Sequence, residues 1–341
     1  MALFKAVKKP VIRQMAPDSS GSSALRPRYA PKAPPCSTAC PIGCDVRGWI
    51  EAIGEGEAEA RTPDQSLELA WRRITARNPF PAITGRLCEH PCEESCHRTG
   101  REGAVAVRAL ERFVGDYGIA HGLRFSQPKE LPARVAVLGG GPAALAAAYH
   151  LARRGYRVTV FEASGLLGGA MRAVETAVVD AEIGRLMDLG IELRSDQSRD
   201  REGAVAFDAE ISTDTLESAT LAIAIASGMA EAEFVDARLR GIAVQKPTPR
   251  PPVGRDRIKL AWYPGAARLE ADNPTPESIV NEARRCMSCG MCMACGNCWM
   301  YCSHGGFEKL PAGRRYRLKL DLCNGCRKCA DECPSGYIDM V

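Results

Sequence analysis

Ten cysteines fall at positions 286, 289, 292, 295, 298, 302, 323, 326, 329 and 333. The last four sit in C-N-G-C-R-K-C-A-D-E-C-P, a Cys-x2-Cys-x2-Cys-x3-Cys-Pro run. Cys292, Cys295, Cys298 and Cys302 repeat that spacing, with Ser303 where the proline would be. Thiolates at this pitch suit a cuboidal [4Fe–4S] group. Three turn inward from one loop, and the fourth, at the next helix, serves the other cluster. The spacing therefore predicts one cluster on Cys292, Cys295, Cys298 and Cys333, and a second on Cys323, Cys326, Cys329 and Cys302. A zinc ribbon would need two Cys-x2-Cys pairs rather than two tandem three-plus-one runs. Disulfides would suit a small secreted scaffold, which 341 residues do not make.

On those residues the stretch resembles the two-cluster bacterial ferredoxins. A second cysteine group lies near the other end of the chain. It reads C36-S-T-A-C40-P-I-G-C44-D-V-R-G-W-I and, later, N78-P-F-P-A-I-T-G-R-L-C88-E-H-P-C92-E-E-S-C96. Cys-x3-Cys would put the Cys36 and Cys40 thiols on one helical face, and a turn at Gly85 would bring the second group alongside. These phrases, with R-A-L-E-R-F around Glu111, resemble the N-terminal iron–sulfur domain of bacterial glutamate synthase small subunits. Dihydropyrimidine dehydrogenase and related flavin-based NADPH oxidoreductases share that domain. The resemblance implies one cluster on Cys40, Cys88, Cys92 and Glu111. It implies another on Cys36 and Cys96 plus an upstream Cys-x2-Cys. No cysteine precedes Cys36 here, but Cys286 and Cys289 in E-A-R-R-C-M-S-C-G are surplus to the ferredoxin loops. That pair is expected to fold back and complete the set, leaving Cys44 over.

Between the cysteine groups, A-R-V-A-V-L leads into Gly139, Gly140, Gly141, Pro142, Ala143 and Ala144. A helix over 145–154 and a strand over 156–161 follow, closed by Glu162. This is the dinucleotide fingerprint with alanine at its third position. Gly139 makes the tight turn, Gly141 admits a pyrophosphate and Ala144 lets helix and strand pack closely. The helix N-terminus stabilises phosphate charge, and Glu162 binds a ribose. The following S-G-L-L-G-G, with Gly168 and Gly169, resembles the same family's FAD domain. Residues 175–196 read as a further helix and strand, and 218–227 as another, buried strand. After Gly228 the pattern dissolves into an extended linker through P-T-P-R-P-P. No second glycine motif and no closing Gly-Asp segment are found, so the NADPH domain of that family is expected to be missing.

The elements that must position these groups give an α/β multidomain chain. It comprises an extended basic arm over 1–35 and a helical [4Fe–4S] domain over 36–130. A truncated Rossmann-like FAD domain covers 131–235, a linker 236–280 and a ferredoxin-type domain 281–341. In the arm, Lys5, Lys8, Lys9, Arg13, Arg26, Arg28 and Lys32 face a single acid, Asp18. Leu3, Phe4, Val7, Val11 and Ile12 offer apolar anchors, so the arm is expected to lie over a partner subunit. Helices are expected over 46–53, 67–76, 105–117 and 276–285. A basic hairpin is expected over 309–319, with Lys309, Arg314, Arg315, Arg317 and Lys319. Trp299, Met300 and Tyr301 would keep water from a cluster.

Composition is that of an ordinary globular chain, 45% hydrophobic and 25% charged. No apolar run approaches the roughly 18–20 residues of a membrane span. A net charge of +4 is too weak to argue for nucleic acid. Sixteen cysteines and no export signal fit reduced metal ligands in the cytoplasm. Several one-electron carriers with no nucleophile–base pair and no complete nicotinamide site describe an electron-transfer subunit. By resemblance its partners would be ferredoxin and a catalytic subunit of a 2-oxoacid:ferredoxin oxidoreductase, sulfite reductase or benzoyl-CoA reductase system. A self-contained FAD-dependent NAD(P)H oxidoreductase and a non-redox iron–sulfur scaffold are the alternatives.

Overall fold

The computed structural model describes residues 22–194, 206–213, 220–244, 249–270, 274–311 and 316–341. Strand β1 (Pro27–Tyr29) comes first, followed by a helical module of α1 (Pro35–Ala39), α2 (Val46–Gly54), α3 (Pro63–Thr75), α4 (Pro81–Leu87), α5 (Pro91–Glu94) and α6 (Val107–Ala120). Helix α3 starts on a capping box in which Thr62 and Gln65 exchange side-chain and backbone hydrogen bonds. The apolar faces of α2, α3, α4 and α6 bury Trp49, Trp71, Phe80, Ile83 and Leu110 in one core.

Helices α4 and α6 pack backbone to backbone. A Cβ on Gly85 would lie 2.4 Å from the Arg112 nitrogen, and one on Gly115 would lie 2.2 Å from the Ala82 nitrogen. The expected turn at Gly85 is therefore wrong. Gly85 lies inside α4, where its missing side chain permits the helix crossing rather than a reversal of the chain.

The second module contains β2 (Arg134–Leu138), α7 (Pro142–Ala152), β3 (Arg157–Phe161), α8 (Thr176–Met187), β4 (Glu192–Arg194), β5 (Ala209–Ser212) and α9 (Leu221–Leu239). The four strands are parallel in the order β4-β3-β2-β5, with helix α7 crossing from β2 to β3. The order reverses between β3 and β5, so the glycine loop after β2 opens at a topological switch point.

Here the expectation of a strand over 218–227 fails, because the segment opens the 19-residue helix α9. Leu and Ile alternating with Ala imitate a strand, but alanine is the best helix former. Thr220 caps the helix by accepting from the Ile223 N–H. The pattern also continues past Gly228, whose missing side chain lets α9 rest against the Ala143 carbonyl. Between β4 and β5 lie only residues 195–208, too few for a domain of at least ~50 residues.

The third module follows α10 (Pro276–Ala283), with α11 (Asn297–Met300), β6 (Phe307–Lys309), β7 (Tyr316–Leu318), α12 (Lys328–Asp331) and β8 (Ile338–Met340). The basic hairpin is present as antiparallel β6 and β7; Arg314 and Arg315 lie outside the described residues. Strand β1 pairs antiparallel with β8, Tyr29 opposite Ile338. The expected arm thus lies, over 22–33, on this chain's own tail rather than on a partner. Its anchors Leu3, Phe4, Val7, Val11 and Ile12 lie outside the described residues. The expected linker is also partly docked: Val253, Ile258 and Tyr263 are buried with Met287 and Cys289.

Candidate metal centres

The tail cysteines gather as their spacing predicts. Burial pushes the Cys295 thiol up to about 11, with Cys333 and Cys292 as its electrostatic neighbours. Cys298 is raised by burial and then by Cys295, Cys292 and Cys333. Burial takes Cys329 up to about 12, and Cys302, Cys323 and Cys326 add to it. Cys302, Cys323, Cys326 and Cys329 line one cavity with Pro27, Phe307 and Met340. Cys302 thus neighbours the cysteines of the second loop, and Cys333 those of the first.

Left-handed residues tighten both loops: Ala294 and Gly296 in the first, Gly325 and Arg327 in the second. Amide N–H groups point at sulfur throughout. Ala294 donates to Cys292 Sγ at 3.4 Å, Gly306 to Cys302 Sγ at 3.2 Å, Gly325 to Cys323 Sγ at 3.4 Å and Tyr337 to Cys333 Sγ at 3.3 Å. Such bonds stabilise negative sulfur and tune a cluster's potential. Tyr29 of β1 donates to the Tyr316 carbonyl at 2.5 Å and stacks on Tyr337 at 5.2 Å. It seals the first loop on one side. Tyr301, which was expected to exclude water, is instead 46% exposed.

In the helical module the Cys-x3-Cys pair does not share a helical face. Helix α1 ends at Ala39 and Cys40 follows in extended backbone, so the two thiols part. Cys40 joins Cys44, Cys88, Cys92 and Glu111 around a cavity with Trp49, Thr84 and His90. Cys44, left over by sequence reasoning, is buried there. Its side chain hydrogen-bonds Cys40 and holds the Cys40 thiol down to about 7. The C-P-I-G-C turn, with Gly43 left-handed, was the signal for it. Glu111 accepts from Asn78 at 2.9 Å and Thr84 at 3.0 Å, and its other oxygen lies 3.0 Å from His90 Nε2. The His90 and Asn78 contacts had no sequence signal.

Cys36 goes to a separate place. Burial and then Cys96 push its thiol up to about 12. Cys289 is raised by burial and then by Cys36 and Cys96. Cys286 is raised by burial, Glu51, Cys36 and Cys289. Four thiols from opposite parts of the chain thus stand together. Among the described residues, no three His, Cys, Asp or Glu side chains close in tightly enough for a single metal ion.

In the dinucleotide-binding module, Gly139 is left-handed at φ +100°, and a Cβ on Gly141 would meet nothing within 4 Å. Helix α7 opens on Pro142, which has no N–H, and the Ala143 and Ala144 N–H groups that follow have no side-chain cap. Gly168, also left-handed, donates to the Gly140 carbonyl at 2.7 Å, and Gly169 packs against Gly141. Hydrogen bonds from Ser164 and the Gly140 backbone hold the Glu162 carboxyl below the usual carboxylate range. These residues fit the ribose and pyrophosphate of an adenine dinucleotide. Helix α9 links this site to the metal centres: Ala222 lines the Cys40 cavity, and Gly228 rests on Ala143.

Comparison with known proteins agrees with this division. Residues 8–123 match the family model for dihydropyrimidine dehydrogenase domain II, 4Fe-4S cluster. Residues 137–193 match an NAD(P)-binding Rossmann-like domain, and 291–337 a 4Fe-4S dicluster domain. The NADP(+)-dependent formate dehydrogenase subunit beta of Moorella thermoacetica is 38% identical over 160 residues, 40% of this chain and 21% of the relative. The NADPH-Fe(3+) oxidoreductase subunit beta of Geobacter sulfurreducens is 40% identical over 144 residues, 41% of this chain and 20% of the relative. The glutamate synthase [NADPH] small chain of Mycobacterium tuberculosis is 32% identical over 203 residues, 57% of this chain and 38% of the relative. The chain thus spans about a fifth to two-fifths of these proteins' lengths. Among the described residues no helix is long and apolar enough to cross a membrane. Over parts of its length the chain is thus similar in sequence to the small chain of glutamate synthase and to beta subunits of NADP(H)-linked oxidoreductases, and it joins a 4Fe-4S domain, a Rossmann-like domain and a 4Fe-4S dicluster domain.

Proposed function

We propose that the chain is an electron-transfer subunit of a larger redox complex. The reading places clusters on Cys292, Cys295, Cys298 and Cys333, on Cys323, Cys326, Cys329 and Cys302, and on Cys40, Cys88 and Cys92 with Glu111. The observation that carries it is the exchange of Cys302 and Cys333 between the tail loops, visible in how Cys329 and Cys298 are surrounded. That arrangement has no use in a zinc ribbon and suits two neighbouring cubanes. Cubanes held there supply one-electron exchange. The chain's own residues bury the sulfurs, aim amide N–H groups at them and exclude water with Tyr29, Phe307 and Tyr337.

FAD is the dinucleotide that the family resemblance supports. Gly139, Gly141, Pro142, Ala143 and Ala144 would hold its pyrophosphate, and Glu162 its ribose, with Gly168 and Gly169 closing the loop. A flavin supplies exchange between two-electron and one-electron carriers. The 14-residue connection between β4 and β5 leaves no place there for a nicotinamide domain. We therefore read the partner as the catalytic subunit of a system such as a 2-oxoacid:ferredoxin oxidoreductase, sulfite reductase or benzoyl-CoA reductase, with ferredoxin as a second partner. The compartment that suits this role is the cytoplasm.

Anaerobic titration of the full chain tests the proposal. Reduced ferredoxin should bleach the iron–sulfur absorption, while NADPH alone should leave it unchanged. Rapid reduction by NADPH alone would support the self-contained oxidoreductase instead.

A further inference from the structure

We propose that Tyr263 is the positioning residue of the seam between the helical module and the ferredoxin-type tail. Its buried ring forms one wall shared by the Cys286–Cys289 turn and the first tail loop, and it keeps water from both groups of thiols. The inference rests on the reading of the chain as an iron–sulfur carrier, with Cys286 and Cys289 among its ligands. It goes beyond that reading because Tyr263 lies outside all three stretches matched by family models, in a segment that the sequence marks only as linker.

That segment is fastened to both modules in turn. On the tail side, the Lys259 N–H donates to the Pro334 carbonyl at 3.1 Å, and its ammonium pairs with Glu332 at 2.9 Å, so Cys333 is flanked on both sides. Arg257 donates to the Ile338 carbonyl at 2.9 Å. On the helical side, Arg101 donates to the Leu260 carbonyl at 2.8 Å and Arg98 to the Pro264 carbonyl at 2.8 Å. A solvated linker would leave these backbone groups to water. This one crosses from the tail to the helical module between Arg257 and Pro264, and Tyr263 stands where the two sets of bonds meet.

Tyr263 is only 3% exposed. It is buried with Val253, Ile258, Met287 and Cys289, and Met293 packs against the same cluster. Its hydroxyl donates to the Met287 carbonyl at 2.8 Å, between Cys286 and Cys289. The same oxygen lies 3.7 Å from Met293 Sδ, between Cys292 and Cys295. One side chain thus touches the middle of two consecutive cysteine turns. Burial, and then Cys289, Cys286, Cys295 and Cys333, push its hydroxyl far above the ordinary phenol range. Two of those thiols belong to the turn and two to the group of the first tail loop. On its other side the turn is tied to the tail as well, where the Gly290 N–H donates to the Ser335 carbonyl at 2.7 Å.

The consequence is electrostatic. Reduction adds negative charge to an iron–sulfur group, and water stabilises that charge, so solvent exposure is one lever on its potential. A ring packed between two thiol groups denies water to both at once. Its loss should therefore move the potentials of both groups together and leave the others alone. The hydroxyl has a separate part, which is to hold the backbone of the Cys286–Cys289 turn against the ring.

EPR-monitored redox titration of the anaerobically reconstituted full chain tests this, with iron measured on the same samples. Components are assigned beforehand by Cys286→Ser/Cys289→Ser and by Cys295→Ser, each of which should remove one. Tyr263→Ala should raise the potentials of those two components and leave the rest at wild-type values. Tyr263→Phe, which keeps the ring, should hold both at wild-type values. Tyr263→Leu, which fills more of the gap, should give the same paired shift at smaller size, and decides the matter if Tyr263→Ala does not load iron. A residue that merely stabilised the fold would move no potential, or all of them equally. Either result would overturn the inference, as would a shift confined to one component or a Cys286→Ser/Cys289→Ser protein that loses none. A wild type with no reducible iron would overturn the underlying carrier reading, and the inference with it.

Discussion

Arg47 of α2 donates a 2.7 Å hydrogen bond to the carbonyl of Cys289, 242 residues further along the chain. The arginine is itself only 6% exposed, so this bond crosses a buried boundary between the helical module and the tail. The two iron–sulfur regions, far apart in sequence, are one body at this point.

The polar lock behind that contact should be costly to break. Glu282→Ala strips the buried Arg285 of its nearer carboxylate, at 2.6 Å, and leaves it only Glu102 at 3.9 Å. Removal of one member of such a pair costs about 3–5 kcal/mol. Urea unfolding of the apo-chain should show a loss of that order. A charge-neutral Glu282→Gln should recover part of it by keeping the acceptor for Ala106. A loss below ~1 kcal/mol in Glu282→Ala would mean that this pair does not lock the end of α10 to the helical module.

Gly85→Ala should be far more damaging than an alanine usually is in a helix. The new methyl would meet the Arg112 backbone nitrogen at 2.4 Å, and backbone cannot rotate away. Overpacking of this kind costs about 1–3 kcal/mol, against a small gain in helix propensity. Because α4 leads directly into Cys88, the variant should also lose the helical-module cluster before the tail clusters. Thermal unfolding and EPR of the same sample report both effects. An unchanged melting temperature would contradict the close crossing.

Glu182 on α8 is fully buried, and burial outweighs the neighbouring Arg185, raising its carboxyl from 4.5 to about 8. The folded state therefore binds a proton that the unfolded state releases above the ordinary carboxyl range. Stability from this group is complete below 4.5, declines as pH rises through that window and is lost above about 8. The slope is at most ~1.4 kcal/mol per pH unit. Glu182→Gln should flatten the fall in melting temperature between pH 5 and 8, within that window, and stabilise the protein at its alkaline end. A wild type that gains stability over the same range would contradict this.

At the Cys40 cavity, Glu111 and Cys44 are expected to separate in their effects. If Glu111 is the fourth ligand, as proposed, Glu111→Ala should convert that cluster to a three-iron form, visible as a changed EPR signal and about one iron less per chain. Cys44→Ala should keep the iron and lower the cluster's potential, since the Cys40 sulfur loses a hydrogen bond. The reverse pattern would transfer the ligand role to Cys44.

The tail was legible because the cysteine spacing itself is the chemistry: three thiols in a tight loop and a fourth on the next helix leave one pairing. The glycine loop was legible for a related reason, since Gly139 and Gly141 are demanded by backbone shape. Helix α9 was not, because alternating Leu, Ile and Ala between 221 and 226 satisfies strand and helix patterns alike, and only its length decides. Gly85 misled because a glycine needed for close helix packing looks the same in sequence as one needed for a turn. The parting of Cys36 from Cys40 depends on α1 ending after five residues, a tertiary decision that Cys-x3-Cys spacing alone cannot carry. Cys44 and His90 escaped because their partners, Cys40 and Glu111, are recruited by folding rather than by pattern.

The most direct test of the account is native mass spectrometry of the full chain, purified without oxygen and sprayed intact. The account predicts a mass excess of whole iron–sulfide cubes, two of which persist when residues 1–270 are removed by proteolysis after Cys286→Ser/Cys289→Ser substitution. Zinc, or no metal, on the fragment carrying Cys292 through Cys333 would contradict it.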